Sequence, residues 1–287
     1  MSEKGTSLKL SLSQLEAYHR DGCVIVDCPF PQTLTQDCQS AVEKVAIDPE
    51  SVTADTRRNH YRLAPQIPGS YWCALDHALP FLKIMLHPEI LEMARQLSGD
   101  DDVYLRNGGI NELAPDHSFW WHRDSEMVYT EFMHYFSGAS VEQGCLRVIP
   151  GSHIGSADRF KEEAERRRRD QGYPEEYWVD GLVDVELPGE IPLEVRPDQL
   201  IVRDSRIFHA TGLNTSNEGR SMSHWLFRDG ASNDHRFRFE DVLTDELIEA
   251  LAPEQRDALW LARDFEIAEG YREERIREDG KVAWGVV

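Results

Sequence analysis

A chain of 287 residues, 40% of them hydrophobic, is long enough to bury one sizeable core with helices packed around it. Its 52 acidic and 31 basic side chains leave a net charge of −21, a surface that repels phosphate backbones and anionic membranes and so argues against nucleic-acid and membrane partners. Five cysteines without a C-x-x-C pair argue against a disulfide framework or a cysteine-built zinc site, and no run approaches the roughly 18 apolar residues of a membrane span. The expectation is a cytoplasmic monomer or homodimer whose partner is a small molecule.

Ser13-Gln14-Leu15-Glu16 has capping-box spacing, so a short amphipathic helix is expected there, ending at the Asp21-Gly22 turn. Cys23-Val24-Ile25-Val26 reads as a strand and Thr35–Val45 as a second helix. Residues 48–72 show no period and read as a long ordered loop of the kind that often serves as a lid. His87–Leu97 is an amphipathic helix started by Pro88.

From Asp101 the pattern changes to short strands separated by turns. These are Val103–Leu113, Phe119–Asp124, Phe132–Ser137, Cys145–Ile149, Ile191–Val195, Gln199–Asp204, Arg206–Gly212 and Ser221–Phe227. Many short strands with Gly and Pro turns imply an antiparallel sandwich or barrel. A charged helix, Lys161–Asp170, interrupts them, and its Arg166–Arg169 run reads as a solvated face. Asp241–Ile276 returns to helix. The chain thus reads as a single domain over 1–287: a helical N-terminal region over 1–100, a β core over about 101–230 and a C-terminal helical extension over about 231–287.

His122-Arg123-Asp124 puts an imidazole and a carboxylate at i and i+2, which on a strand leave the same face. A third ligand must come from another strand, and His209 offers one. Two histidines and a carboxylate on one face leave three positions of an octahedral ion open, as iron(II) oxygenases need for a bidentate cosubstrate and dioxygen. Arg220 follows His209 after a turn through Leu213–Gly219 and comes back beside it, facing the same interior. A buried arginine there needs an anion, and a carboxylate is its best bidentate partner; an internal salt bridge is the alternative.

The chain resembles the phytanoyl-CoA dioxygenase family of iron(II)/2-oxoglutarate oxygenases from about Leu10 to Phe227. Asp21–Val26 after a helix is similar to the family's opening segment, and Trp121-His122-Arg123-Asp124 to its W-H-x-D strand. Gly144-Cys145-Leu146-Arg147-Val148-Ile149-Pro150-Gly151-Ser152-His153 is similar to its G-C-L-x-V-I-P-G-S-H stretch. His209-Ala210-Thr211-Gly212-Leu213-Asn214 with Arg220 resembles its distal histidine, the hydroxyl residue two further on, the turn asparagine and the cosubstrate arginine.

The resemblance implies a mainly β fold with flanking helices, a double-stranded β-helix core of the jelly-roll or cupin type. It implies Fe(II) held by His122, Asp124 and His209, with 2-oxoglutarate and O2 as cosubstrates and Arg220 and Thr211 on the far carboxylate. Val103–Asn111 resembles the strand that gives related hydroxylases a Gln and an Asn near the cosubstrate; those positions here are Asn107 and Asn111. Two segments depart from the family: Ser137-Gly138-Ala139-Ser140 replaces an acidic turn, and Ser125–Tyr129 matches no subfamily.

Trp120 shares strand parity with His122 and Asp124 and is expected in the substrate pocket, with Trp121 facing away. Tyr129, His134, Arg106 and His224 complete the candidate pocket, although His134 and Tyr135 alternate on their strand and only one can face inward. Arg147, like Arg106, reads as an anion holder or a structural salt bridge. His153 is expected to tie its turn to the backbone and His117 to lie on a surface loop. The expected reaction is oxidation, in the first place hydroxylation, of a C–H bond in a small polar, amino-acid-like or natural-product substrate, with release of succinate and CO2. The alternatives are an acyl-CoA 2-hydroxylase of the same family, a non-catalytic ligand-binding β-helix and a zinc hydrolase. The intact His122, Asp124, His209 and Arg220 set disfavours the last two, since Arg220 has no role in zinc hydrolysis.

Overall fold

In the computed structural model, which describes residues 10–44, 61–63, 78–113, 115–116, 118–173, 185–229 and 245–259, the chain enters the fold through α1 (Leu12–Asp21). The cap is Ser11 rather than Ser13. Gln14 N donates to Ser11 Oγ and Ser11 N donates to Gln14 Oε1, so the box is Ser11-x-x-Gln14. Gly22 takes the left-handed conformation (φ 84°) and releases the chain into β1 (Cys23–Asp27). After α2 (Gln32–Lys44) comes β2 (Tyr61–Leu63), a strand inside the segment expected to be a loop. The rest of 48–72 lies outside the described residues, as does His117.

Two helices then form one wall of the core. α3 (Ala78–Met85) has no counterpart in the expected elements; its eight residues are apolar but for Lys83, too short a run to show a clear period. Phe81, Leu82, Ile84 and Met85 are all buried. α4 (Pro88–Ser98) has Pro88 at its first turn and His87 as its cap.

The remaining strands are β3 (Val103–Leu113), β4 (Phe119–His122), β5 (Thr130–Tyr135), β6 (Leu146–Val148), β7 (Ile191–Leu193), β8 (Gln199–Asp204), β9 (His209–Thr211) and β10 (Arg220–Asp229). They build two antiparallel sheets, one of order β1-β8-β5-β10-β3-β2 and one of order β4-β9-β6-β7. The two sheets form the double-stranded β-helix core. Alternation divides the large sheet cleanly: Phe132, Leu200, Val202 and Trp225 face the helices, whereas Met133, Tyr135, Ile201 and Met222 face the small sheet. On the far side of the small sheet, Trp121, Phe208 and Ala210 pack against α5 (Asp158–Asp170). The arginine run on α5 is only partly a solvated face. Arg166 pairs with Glu163 outside, but Arg168 is buried and donates to Glu165 and to the Tyr173 carbonyl.

Two irregularities aim side chains. β3 carries an extra residue, Arg106, where Leu226 faces Asn107 and Phe227 faces Leu105. β4 carries another, since Phe119 faces Thr211 and His122 faces His209. The tail expected to be helical contains α6 (Asp245–Glu249) and α7 (Pro253–Asp257); outside 245–259 its residues are not among those described. Ala252, extended before Pro253, separates the two helices. Among the described residues no helix is long and apolar enough to cross a membrane, and Cys23, Cys28, Cys38 and Cys145 are free.

Gly144 opens β6 with φ 68°, and a Cβ on it would lie 2.5 Å from the Gly212 carbonyl oxygen. Gly144→Ala therefore meets both left-handed strain and a backbone clash. It is expected to destabilise the protein by roughly 1–3 kcal/mol, lowering the unfolding midpoint by roughly 2–10 °C in a thermal melt. An unchanged midpoint would show that the turn can be rebuilt around a side chain.

Candidate metal centre

The centre begins as a cross-strand pair. His122 ends β4 directly opposite His209, which begins β9, and the ring centroids are 4.1 Å apart. Asp124 lies two residues past the strand. Its Oδ1 is 3.0 Å from His122 Nε2 and its Oδ2 is 3.6 Å from His209 Nε2. One ligand atom from each of the three lies within 4.8 Å of the others, a spacing one metal ion can span.

Both rings are held by the other nitrogen. His122 Nδ1 is 2.7 Å from the Trp120 carbonyl and His209 Nδ1 is 2.9 Å from the Ile207 carbonyl. With Nδ1–H donating to a carbonyl, each Nε2 keeps its lone pair for a metal. Burial, the nearby Arg203 and the facing His122 hold the His209 pKa well below the ordinary imidazole value. Burial alone would raise the Asp124 carboxyl, but Arg203, His209 and His122 outweigh it and keep that pKa well below the ordinary carboxylate range. Near neutral pH the site therefore presents a neutral His209 and an ionised Asp124, the forms that ligate.

Arg203, on β8, is the functional-site residue that the sequence reading missed. Its guanidinium pairs with Asp124 Oδ2, reaches Glu131 Oε2 at 2.5 Å and lies 2.9 Å from His209 Nδ1. Its side chain is 3% exposed. The signal was present: a charge at the end of Leu200-Ile201-Val202 must be paired if that strand is buried.

A second buried cationic group lies outside the residues that line the cavity described below. Arg220 begins β10, is buried, donates from Nε to the Gln143 carbonyl (3.0 Å) and lies over the Tyr135 ring. Its Nη1 and Nη2 are buried without a hydrogen-bond partner. A buried guanidinium with its fork unpaired is a fitted receptor for a carboxylate. Thr211 faces inward from β9 and Asn111 from β3, and both line a cavity of about 430 Å³ that also contains His122, Asp124 and His209. Asn107 lies on the same strand opposite Leu226.

The structure corrects two of the pocket residues. Trp120 does not line the cavity; the extra residue in β4 breaks the alternation, and Phe119 takes the inward place, edge-on to His122 with centroids 4.7 Å apart. Trp120 packs instead with the α5 cluster, where Trp121 stacks on Phe208. His134 faces the helices, not the cavity. It sits against Phe30 and Phe136 with Nε2 3.0 Å from the Pro197 carbonyl, and Tyr135 is the inward member of the pair.

Tyr129, Arg106 and His224 do line the cavity. Arg106, aimed by its bulge, lies over the Tyr129 ring at 4.6 Å, and His224 Nδ1 is 3.3 Å from Glu131 Oε1. Arg147 pairs with Glu190 and is structural. His153 Nε2 is 3.2 Å from the His19 carbonyl and ties its turn to α1. In the same turn Ser152 Oγ accepts from Phe208 N (2.8 Å), bracing the residue before His209.

The family model described as phytanoyl-CoA dioxygenase (PhyH) matches residues 18–222. The solved structure of EctD from S. alaskensis with 2-oxoglutarate and 5-hydroxyectoine is similar at 19% identity, covering 79% of each chain with a TM-score of 0.55. HygX from Streptomyces hygroscopicus with iron bound is similar at 17% identity over 84% of this chain and 94% of its own, with a TM-score of 0.60. AviO1 from Streptomyces viridochromogenes Tue57 gives 18% identity, 77% and 96% coverage and a TM-score of 0.55. At such identities the likeness is one of fold. No curated protein sequence matches the chain.

The buried His134 makes a testable contribution to acid stability. Burial lowers its pKa from 6.5 to about 4, so below pH 6.5 the unfolded chain takes up a proton that the folded protein refuses. Stability is then lost between pH 6.5 and 4 at about 1.4 kcal/mol per pH unit for this group. Urea unfolding of the metal-free His134→Leu variant is expected to show a slope shallower by about one proton over that window. Equal slopes in variant and wild type would mean that His134 titrates normally.

Proposed function

The chain belongs to the phytanoyl-CoA dioxygenase (PhyH) family of iron(II)- and 2-oxoglutarate-dependent oxygenases, and from that premise we propose that it hydroxylates a C–H bond of a small polar, amino-acid-like or natural-product substrate. The observation that carries the reading is a conjunction in one inter-sheet space. Two imidazole Nε2 atoms and one carboxylate oxygen converge there, and a buried arginine fork lies unpaired nearby.

The residues fit both groups. His122, Asp124 and His209 would hold iron, and their one-sided arrangement leaves the opposite face for cosubstrate and dioxygen. Arg220, buried over the Tyr135 ring and not itself in the cavity's lining, would take the far carboxylate of 2-oxoglutarate, flanked by Thr211 and Asn111, which do line it. Bound iron supplies the centre for a reaction in which dioxygen gives one oxygen atom to succinate and one to substrate while 2-oxoglutarate loses CO2. The protein's own contribution is to hold the two histidines in the ligating tautomer and to keep the interior dry with Phe119, Met133, Leu146 and Met222.

The polar residues of the cavity support the substrate class. Arg106 offers a cation above Tyr129, and the Glu131–His224 pair offers an acceptor and a titratable ring. Groups of both signs within one small cavity suit a molecule that carries a carboxylate and an amino or hydroxyl group. Among the described residues the cavity's other arginine, Arg203, is engaged by two carboxylates, which leaves no cluster of cations for the phosphates of a CoA thioester.

His122→Ala and His209→Ala are expected to abolish stoichiometric iron(II) binding and succinate formation; either variant retaining both would refute the ligand set. Arg220→Ala should raise the 2-oxoglutarate concentration needed for half-maximal turnover about ten- to hundredfold, since a hydrogen bond to a charged group contributes roughly 1.5–3 kcal/mol. Iron affinity should change little, and Arg220→Lys should recover some of the loss. An unaltered 2-oxoglutarate requirement in Arg220→Ala would sink that assignment.

A further inference from the structure

A chain of charged side chains runs from Asp124 to the cavity wall, and Arg203 is its centre. Arg203 and Glu131 stand directly opposite each other on β8 and β5, and each side chain is 3% exposed. Beyond Glu131, the chain ends at His224. The next inward pair on the same two strands is Ile201 opposite Met133, both in the apolar core between the sheets. The fold thus accepts an apolar pair one step away. A buried ion pair in place of an apolar one is a weak source of stability, so its presence calls for another reason.

The two oxygens of Asp124 have different surroundings. Oδ1 lies 3.0 Å from His122 Nε2, and Oδ2 lies 3.6 Å from His209 Nε2. Oδ2 is held by Arg203 Nη2, whose other anchor is Glu131. Both carboxylates meet the guanidinium at Nη2, and Nη1 lies 2.9 Å from His209 Nδ1.

We propose that Arg203 is a positioning residue that holds Oδ2 of Asp124, so that this carboxylate offers a metal a single oxygen and the position dioxygen needs stays open once 2-oxoglutarate is bound. The inference rests on the iron reading above. A carboxylate free to turn can bind a metal through both oxygens. With two histidines that fills four of six positions and leaves two, enough for the bidentate keto acid but none for dioxygen. Removing Arg203 should therefore impair binding of a diatomic ligand without impairing metal or 2-oxoglutarate binding. Lost packing or lost local structure would impair all three together.

The experiment uses the full chain without oxygen: Fe(II) is titrated into metal-free protein, 2-oxoglutarate into the loaded protein, and nitric oxide, a diatomic stand-in for dioxygen, into that complex. Arg203→Met combined with Glu131→Leu removes the clamp and its counter-charge together, leaving no unpaired charge between them. Arg203→Gln with Glu131→Gln, a neutral hydrogen-bonding pair, gives the same comparison should the apolar pair fail to fold. The expected result is Fe(II) and 2-oxoglutarate affinities equal to or tighter than wild type, with nitric oxide affinity reduced about tenfold or more. Arg203→Lys, which keeps a donor for Asp124, should show a smaller loss of nitric oxide affinity. Unchanged nitric oxide affinity in the double variant overturns the proposal, and so does a parallel loss of Fe(II), 2-oxoglutarate and nitric oxide binding. Wild-type protein that binds no Fe(II) overturns the metal centre itself, and the proposal with it.

Discussion

The site depends on one register: His122 opposite His209 in the pairing of β4 with β9. Side chains alternate along a strand, so a slip of one residue in either strand would turn its imidazole away from the other and toward the α5 cluster. The surrounding structure guards that register from both sides. Ser152 Oγ fixes Phe208, while Arg123 donates to the carbonyls of Ser152 and Gly155 and pins the strand end just before Asp124. The buried Asn214 spans the turn after β9 through the carbonyls of Leu113 and Glu218. That turn delivers Arg220 to the interior. The resemblance in the Gly-Ser-His stretch and in the turn asparagine is thus explained by bracing: these residues hold the histidine strand rather than touch the chemistry.

Electrostatics then sets the protonation states. Burial and Arg203 act together on His209, both favouring the neutral ring, but they oppose each other on Asp124. For the carboxylate the cation and the two rings win. A single guanidinium can serve both ligands because Glu131 supplies a second anion on its other side, leaving it charged despite burial. Without such a partner a buried arginine would weaken the core it sits in.

Much of this was legible in the sequence, and the failures have particular causes. Strand parity brought His122 and Asp124 to one face. The turn after His209 was expected to return Arg220 beside it as a hairpin, but β9 and β10 lie in different sheets, so the turn carries the chain across to the large sheet. The same parity put Trp120 in the cavity, and there it failed. A bulge is defined by the partner's register, and β4 alone carries no mark that Phe119 and His122, three apart, face the same way. For β5 the alternation was legible but its phase was not, because the strand is buried on both faces and offers no polar side to orient it. His134 is an imidazole in the apolar layer, and only the helices packed on it reveal that. α3 escaped for a related reason: eight residues, apolar but for Lys83, are too short a run to show a period. Arg203 escaped although its signal was plain, since a charge inside an apolar run belongs to no motif and shows its partners only once the strands are paired.

The division between what was legible and what was not follows a division in the molecule. The groups proposed to hold iron and 2-oxoglutarate sit at regular strand positions or in braced turns, where spacing in the sequence translates directly into geometry. The cavity's outer polar groups do not. Arg106 is the extra residue of a bulge, and Tyr129 ends the Ser125–Tyr129 segment that departs from the family. His224 stands over Gly109, where a Cβ would come within 2.9 Å of its Nε2. A side chain at 109 would displace that ring, so the His224–Glu131 contact depends on a missing side chain on the neighbouring strand. Features of this kind can change without disturbing the register that holds His122 against His209. A fold built this way can keep the pairing of His122 with His209 while Arg106, Tyr129 and His224 vary, whereas Glu131, the counter-charge of Arg203, is tied to Asp124 and cannot vary as freely.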